Sequence, residues 1–84
     1  MSVAERNRLV SENLGLVHSC CRRFVGRGIE YEDLFQAGCL GLIRAAEGYD
    51  IERGAAFSTY AYPAILGEIL RGGAMKVKEA GAVL

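Results

Sequence analysis

The chain has 84 residues, half of them hydrophobic and a quarter charged, with ten basic and ten acidic side chains that cancel. That length and composition suit one small globular domain with a modest core and exclude a disordered or multidomain chain. No apolar run approaches the roughly 20 residues that span a bilayer, and the N-terminus "MSVAERNRLV" lacks the apolar core of a signal peptide, so the expected location is cytoplasmic, away from membranes.

From Leu9 to Val25 the apolar residues Val10, Leu14, Val17, Cys21 and Phe24 recur at steps of four, three, four and three. That spacing predicts the first amphipathic helix. Arg22 and Arg23 fall in its last turn, where positive charge complements the helix dipole, and Gly26 and Gly28 mark the stop. His18 lies on the flank of the stripe without an acidic partner nearby in sequence, which reads as a lone surface histidine.

The stretch "IEYEDLFQAGCLGLIRAAEGYD" carries the second helix, with Glu30, Glu32 and Asp33 at its positive end and Gly48 and Asp50 past its last turn. Leu34, Gly38, Gly41, Leu42 and Ala45 form one face. Each interior glycine costs about 1 kcal/mol of helix propensity against alanine, so a pair of them points to close packing with a neighbouring helix. The opposite face holds Asp33, Gln36, Ala37, Leu40, Ile43, Arg44 and Glu47. Its two large aliphatics suit either a docking surface or a covering third helix, and periodicity does not separate the two.

The third helix is expected to start at Ser58 or Thr59, either of which can cap backbone N–H groups, with Pro63 near the first turn. Ile65, Leu66, Ile69 and Leu70 form its buried stripe, and Gly72-Gly73 ends it. The expected fold is therefore all-α, a small three-helix domain over residues 1–71 with a poorly ordered tail over 72–84.

Catalysis and cofactors find little support. Ser58 has no histidine within sequence reach, His18 has no orienting acid, and the glycines match neither a phosphate loop nor a dinucleotide fingerprint. Cys20, Cys21 and Cys39 are odd in number and lack the spaced pairs of a zinc site, so they read as small core residues. The expectation is a non-enzyme without metal or cofactor. Tyr49, Phe57, Tyr60 and Tyr62 cluster at the junction of the second and third helices, bracketed by Arg53 and Arg71. Such rings can stack on unpaired bases. From the residues alone, ordinary packing outweighs that use.

Together, Asn13-Leu14, Arg22-Arg23-Phe24, Gly28, "DLFQAGCLGLIRA" from Asp33, Tyr49-Asp50, Arg53-Gly54 and "FSTYA" from Phe57 resemble the second conserved region of bacterial RNA polymerase sigma factors. "YPAILGEI" looks most like the sporulation and general-stress branch, where a proline stands in place of paired tryptophans. The resemblance covers residues 9 to 71.

It implies a transcription initiation domain that binds core RNA polymerase through a coiled coil of the largest subunit. The positions matching that contact are Asp33, Gln36, Ala37, Cys39, Leu40 and Ile43. It also implies capture of flipped non-template bases of the promoter −10 element. Tyr60 matches the residue that stacks on a flipped adenine, while Asn13 and Leu16 match the holder of a second base. Tyr49, Ser58, Thr59, Tyr62 and Arg71 complete the implied DNA-binding set. The alternative is a truncated relative that occupies core polymerase or an anti-sigma factor without initiating. The chain departs from the family pattern at Ala56, where a basic residue is usual, at Gly15, where arginine is common, and at Gly72-Gly73, where family members continue the helix with basic and sequence-reading residues. No helix-turn-helix for the −35 element follows, so this chain is not expected to read a two-element promoter.

Overall fold

Ser2 opens the first helix by accepting a hydrogen bond at Oγ from the Glu5 amide (3.1 Å), as a serine N-cap does. The computed structural model describes the backbone of residues 2–83 and the side chains of residues 2–72. Among the described residues every regular element is helical, and the chain is all-α as the periodicity implied. The α-helices are α1 (Val3–Glu12), α2 (Leu14–Cys21), α3 (Tyr31–Gly48) and α4 (Phe57–Val83), with short 3₁₀ turns over Arg22–Phe24 and Ile51–Arg53.

Four expectations are corrected. The single helix expected between Leu9 and Val25 is two, because Asn13 leaves helical geometry (φ −117°, ψ 15°) and its side-chain amide donates to the Leu9 carbonyl at 2.7 Å. Asparagine commonly offers the backbone this kind of local alternative. The apolar stripe survives the break, since Val17 and Cys21 are buried and Val10, Leu14 and Phe24 pack beside them. At the other end, α4 starts at Phe57, placing Ser58 and Thr59 inside its first turn rather than at its cap.

Gly72-Gly73 does not stop α4. A glycine lowers helix propensity without forbidding the conformation, and at Gly72 a Cβ would come within 3.3 Å of the Ala37 Cβ, so the missing side chain serves the approach of α4 to α3. The expectation of a poorly ordered tail lies, beyond Gly72, outside the described side chains.

The core is the seam between α3 and α4, closed at one side by α2. Leu34, Leu42, Ala45 and Ala46 of α3 meet Phe57, Ala61, Ile65 and Ile69 of α4, with Val17, Cys20 and Cys21 from α2. A Cβ on Gly41 would lie 2.7 Å from the Ile65 Cα, and one on Gly38 would lie 2.7 Å from Val17 Cγ1. Gly41 thus lets α3 and α4 cross almost backbone to backbone, while Gly38 makes room for the Val17 side chain. Leu70, expected in the buried stripe, is 55% exposed. The 61–65–69 series of four-residue steps carries the contact, and Leu70 lies a further 100° round the helix. No helix among the described residues is long and apolar enough to cross a membrane.

Candidate functional site

With Leu34, Gly38, Gly41, Leu42 and Ala45 filled by α2 and α4, the opposite face of α3 is left open. Leu40 is 41% exposed and Ile43 38% exposed. Among the described residues, no helix seals either side chain from solvent. Gln36 is exposed beside them, while Asp33, Ala37 and Cys39 are half-buried. A depression of about 320 Å³ runs along Ile29, Asp33, Gln36, Ala37, Leu40 and Gly72. Another, of about 390 Å³, is lined by Arg6, Asn7, Val10, Ser11, Leu14 and Ile43. Leu40 thus borders one shallow groove and Ile43 the other, with polar groups beside them.

On this face, burial pushes the Cys39 thiol above its ordinary value. The same holds inside the core. Burial first, then the neighbouring Cys20 and Cys39, push the Cys21 thiol up to about 11, and burial outweighs the opposing pull of Arg23 at Cys20. Thiols held in this form are poor nucleophiles at neutral pH. Among the described residues no group of His, Cys, Asp and Glu could hold a metal ion.

The second candidate region is the α3–α4 junction. Tyr49 packs edge-on against buried Phe57 (5.1 Å between centroids, 76°) and lies 5.9 Å from the Tyr60 ring. Its hydroxyl donates to the Ala55 carbonyl at 2.7 Å. Asp50 Oδ1 accepts from the Glu52 amide, and Gly54 turns the chain through the left-handed region (φ 81°). The loop is thus tied down from within, and it delivers Tyr60 at the first turn of α4 with 42% of its surface exposed. Ser58 and Thr59 are exposed beside it. A depression of about 440 Å³ lies alongside, lined by Glu5, Arg8, Leu9, Tyr49, Asp50, Ile51 and Glu52.

The other candidate positions are placed differently. Tyr62 is half-buried beneath the Arg23 guanidinium, 5.5 Å from its ring centroid. Asn13 and Leu16 are half-buried at the α1–α2 break and share no hydrogen bond or ring contact with Tyr60. Arg71 is held by both oxygens of Glu68, whose Oε1 also takes Arg44 at 2.8 Å.

Sequence reasoning missed Arg23 over Tyr62, Glu68 between two arginines, and the partner of His18. The His18 ring stacks on Phe35 (4.6 Å), and its Nδ1 shares a hydrogen bond with the Tyr31 hydroxyl. A sequence signal for this last group existed: Tyr31 and Phe35 are four residues apart and so share one helix face.

The fold agrees with the comparison to known proteins. The family model described as Sigma-70 region 2 matches residues 9–73. The chain belongs to the sigma-70 family, as a region 2 domain. It is 47% identical over 66 residues to the RNA polymerase sigma-F factor of Priestia megaterium, covering 79% of this chain and 26% of that protein. It is 48% identical over 66 residues to the RNA polymerase sigma-G factor of Bacillus subtilis (strain 168), covering 79% and 25%. A putative sigma-G factor of Bacillus thuringiensis subsp. kurstaki is 46% identical over 69 residues, covering 82% and 55%. The chain thus spans about a quarter of the length of the first two of these relatives and about half of the third, and its similarity lies on the sporulation branch.

Proposed function

We propose that this domain acts in transcription initiation, docking on core RNA polymerase through the open face of α3 and helping to recognise and melt the promoter −10 element through Tyr60. The observation that carries the reading is the exposure of Leu40 and Ile43 on a helix whose other face is filled. Burying those two side chains against a coiled coil removes apolar surface from water, while Asp33 and Gln36 at the margin set the register. Asp33, Ala37 and Cys39 contribute shape at the edge of the contact.

Melting needs a different resource. Extruding a base from the duplex costs a few kcal/mol, and stacking on an aromatic ring returns about 1–3 kcal/mol. Tyr60 is the exposed ring of the junction, and Tyr49 backs it. The chain has no net positive charge, so the polymerase must supply much of the attraction for phosphates.

The test is titration of the protein against the isolated clamp coiled coil of the largest polymerase subunit. Micromolar or tighter binding, lost in the Gln36→Ala, Ile43→Asp double variant, is the expected result. Absence of binding, or binding indifferent to those changes, would falsify the docking assignment.

A second reading is favoured by the Arg71–Glu68–Arg44 ion pairs, which occupy two cations that could otherwise meet phosphates. On this reading the domain occupies core polymerase, or an anti-sigma factor, without initiating. Capture of single-stranded −10 oligonucleotide by the polymerase complex, abolished by Tyr60→Ala, decides for initiation. A complex that forms but captures no oligonucleotide decides for occupancy alone.

A further inference from the structure

Gly48 is the last residue of α3 and does not need to be a glycine for backbone reasons. The left-handed glycines among the described residues are Gly26, Gly28 and Gly54, and Gly48 has no positive φ. A glycine inside a helix lowers its stability relative to alanine, so its presence here calls for another cause. The surroundings supply one. A Cβ at Gly48 would lie 2.8 Å from the Tyr60 hydroxyl oxygen and 3.9 Å from Tyr60 Cζ, and it would meet no other neighbour within 4 Å. The same hydroxyl donates to the Gly48 carbonyl at 3.2 Å. That carbonyl is one of the helix-end acceptors left without an intrahelical partner.

We infer that Gly48 is a positioning residue for Tyr60: its bare Cα is the seat that fixes the height and tilt of the ring on which an unpaired base stacks. The inference rests on the reading of Tyr60 as the stacking ring. Two constraints act on the ring together. The hydrogen bond to the Gly48 carbonyl pins the hydroxyl end, and Tyr49, 5.9 Å away at 51°, limits rotation from the side. A ring held at both points loses little freedom when a base settles on it, which is how preorganisation raises affinity.

The geometry makes an unusual demand that a general disturbance of the helix end would not meet. Only the hydroxyl oxygen stands too close to the added methyl, while Cζ lies at ordinary contact distance. Removing that oxygen should therefore make room for a side chain at position 48.

The experiment uses the full chain bound to core polymerase and a single-stranded oligonucleotide carrying the −10 element with 2-aminopurine at the captured base. Stacking is read as fluorescence quenching and affinity from the titration. Gly48→Ala is expected to weaken capture about tenfold, toward the lower end of what loss of a base–aromatic stack removes, and to reduce quenching at saturation. Its affinity for polymerase and its helical content are expected to stay unchanged. Tyr60→Phe alone loses the hydrogen bond and is expected to cost about threefold, a typical neutral hydrogen bond. The Gly48→Ala, Tyr60→Phe double variant is expected to recover to the level of Tyr60→Phe.

Capture by Gly48→Ala equal to that of the native chain overturns the inference. So does a Gly48→Ala defect that Tyr60→Phe fails to relieve, which would place the effect in the helix end. The control is Tyr60→Ala. If it captures as well as the native chain, the stacking role of Tyr60 itself is overturned, and Gly48 loses its role with it.

Discussion

Glu68 grips Arg71 one turn along α4 through both carboxylate oxygens, at 2.5 and 2.6 Å, and reaches across to Arg44 of α3 at 2.8 Å. The carboxylate side chain is only 14% exposed while both guanidinium groups are largely in solvent. Glu68 therefore neutralises part of a surface that would otherwise be basic.

Glu68→Gln is expected to change binding more than stability. Ion pairs with exposed partners contribute about 0–1 kcal/mol each, so the thermal midpoint should fall by only a few degrees. The released arginines add to the positive potential beside the α3–α4 seam. Single-stranded DNA affinity of the polymerase complex should rise, and its plot of log affinity against log salt should steepen by about 0.7 for each added phosphate contact. An unchanged salt slope would place Arg71 away from the DNA path.

Gly41→Ala should be among the most damaging small changes in the chain. The added Cβ would lie 2.5 Å from the Ala64 carbonyl oxygen and 2.7 Å from the Ile65 Cα. These are backbone atoms of a packed helix and cannot swing aside. Overpacking costs about 1–3 kcal/mol, against which the helix-propensity gain of about 1 kcal/mol is the smaller effect. A net loss of up to about 2 kcal/mol lowers the melting temperature of a domain this size by up to roughly 15 °C. Circular dichroism melting checks the figure. A raised melting temperature would mean that the two helices are further apart than described.

Much of this architecture was legible in the residues. The step pattern of Val10, Leu14, Val17 and Cys21 located a core stripe, and Gly38 and Gly41 announced a close crossing, because each rests on a periodicity fixed by helix geometry. Where sequence reasoning failed, the outcome depended on partners distant in the chain. Asn13 breaks a helix because its amide finds the Leu9 carbonyl. Gly72 continues one because Ala37 stands opposite. The exposure of Leu40 and Ile43 could be settled only by knowing which face of α3 the fourth helix takes. Tyr60 could be suspected from its neighbours in sequence, whereas its seat at Gly48 belongs to the folded chain alone.

Charged substitutions on the open face of α3 separate binding from folding. Leu40→Asp with Ile43→Asp removes two aliphatics that are already about 40% exposed, so each should alter stability by about 0.5–1 kcal/mol or less. Loss of contacts at the centre of an interface removes 2 kcal/mol or more of binding. Affinity for the clamp coiled coil should drop at least thirtyfold with the helical signal intact. Similar losses of stability and binding would mean that the two residues serve the fold instead.

The cysteines give the domain a pH-dependent stability on the alkaline side. In the unfolded chain the Cys21 thiol ionises from its ordinary value of 9.0, whereas in the folded chain it is pushed up to about 11. Below pH 9 both states keep the proton and stability does not depend on it. Between about 9 and 11 the unfolded state binds fewer protons, so stability falls as pH rises. Above 11 the loss levels off. The shift corresponds to a loss on the order of 3 kcal/mol, and burial raises the Cys20 and Cys39 thiols in the same direction. Urea unfolding under reducing conditions at pH 8 and pH 10.5 should show a clearly lower midpoint at the higher value. Cys21→Ala should flatten most of that difference even if it lowers stability at both. A midpoint that is the same at the two pH values would mean that the Cys21 thiol meets solvent in the folded chain.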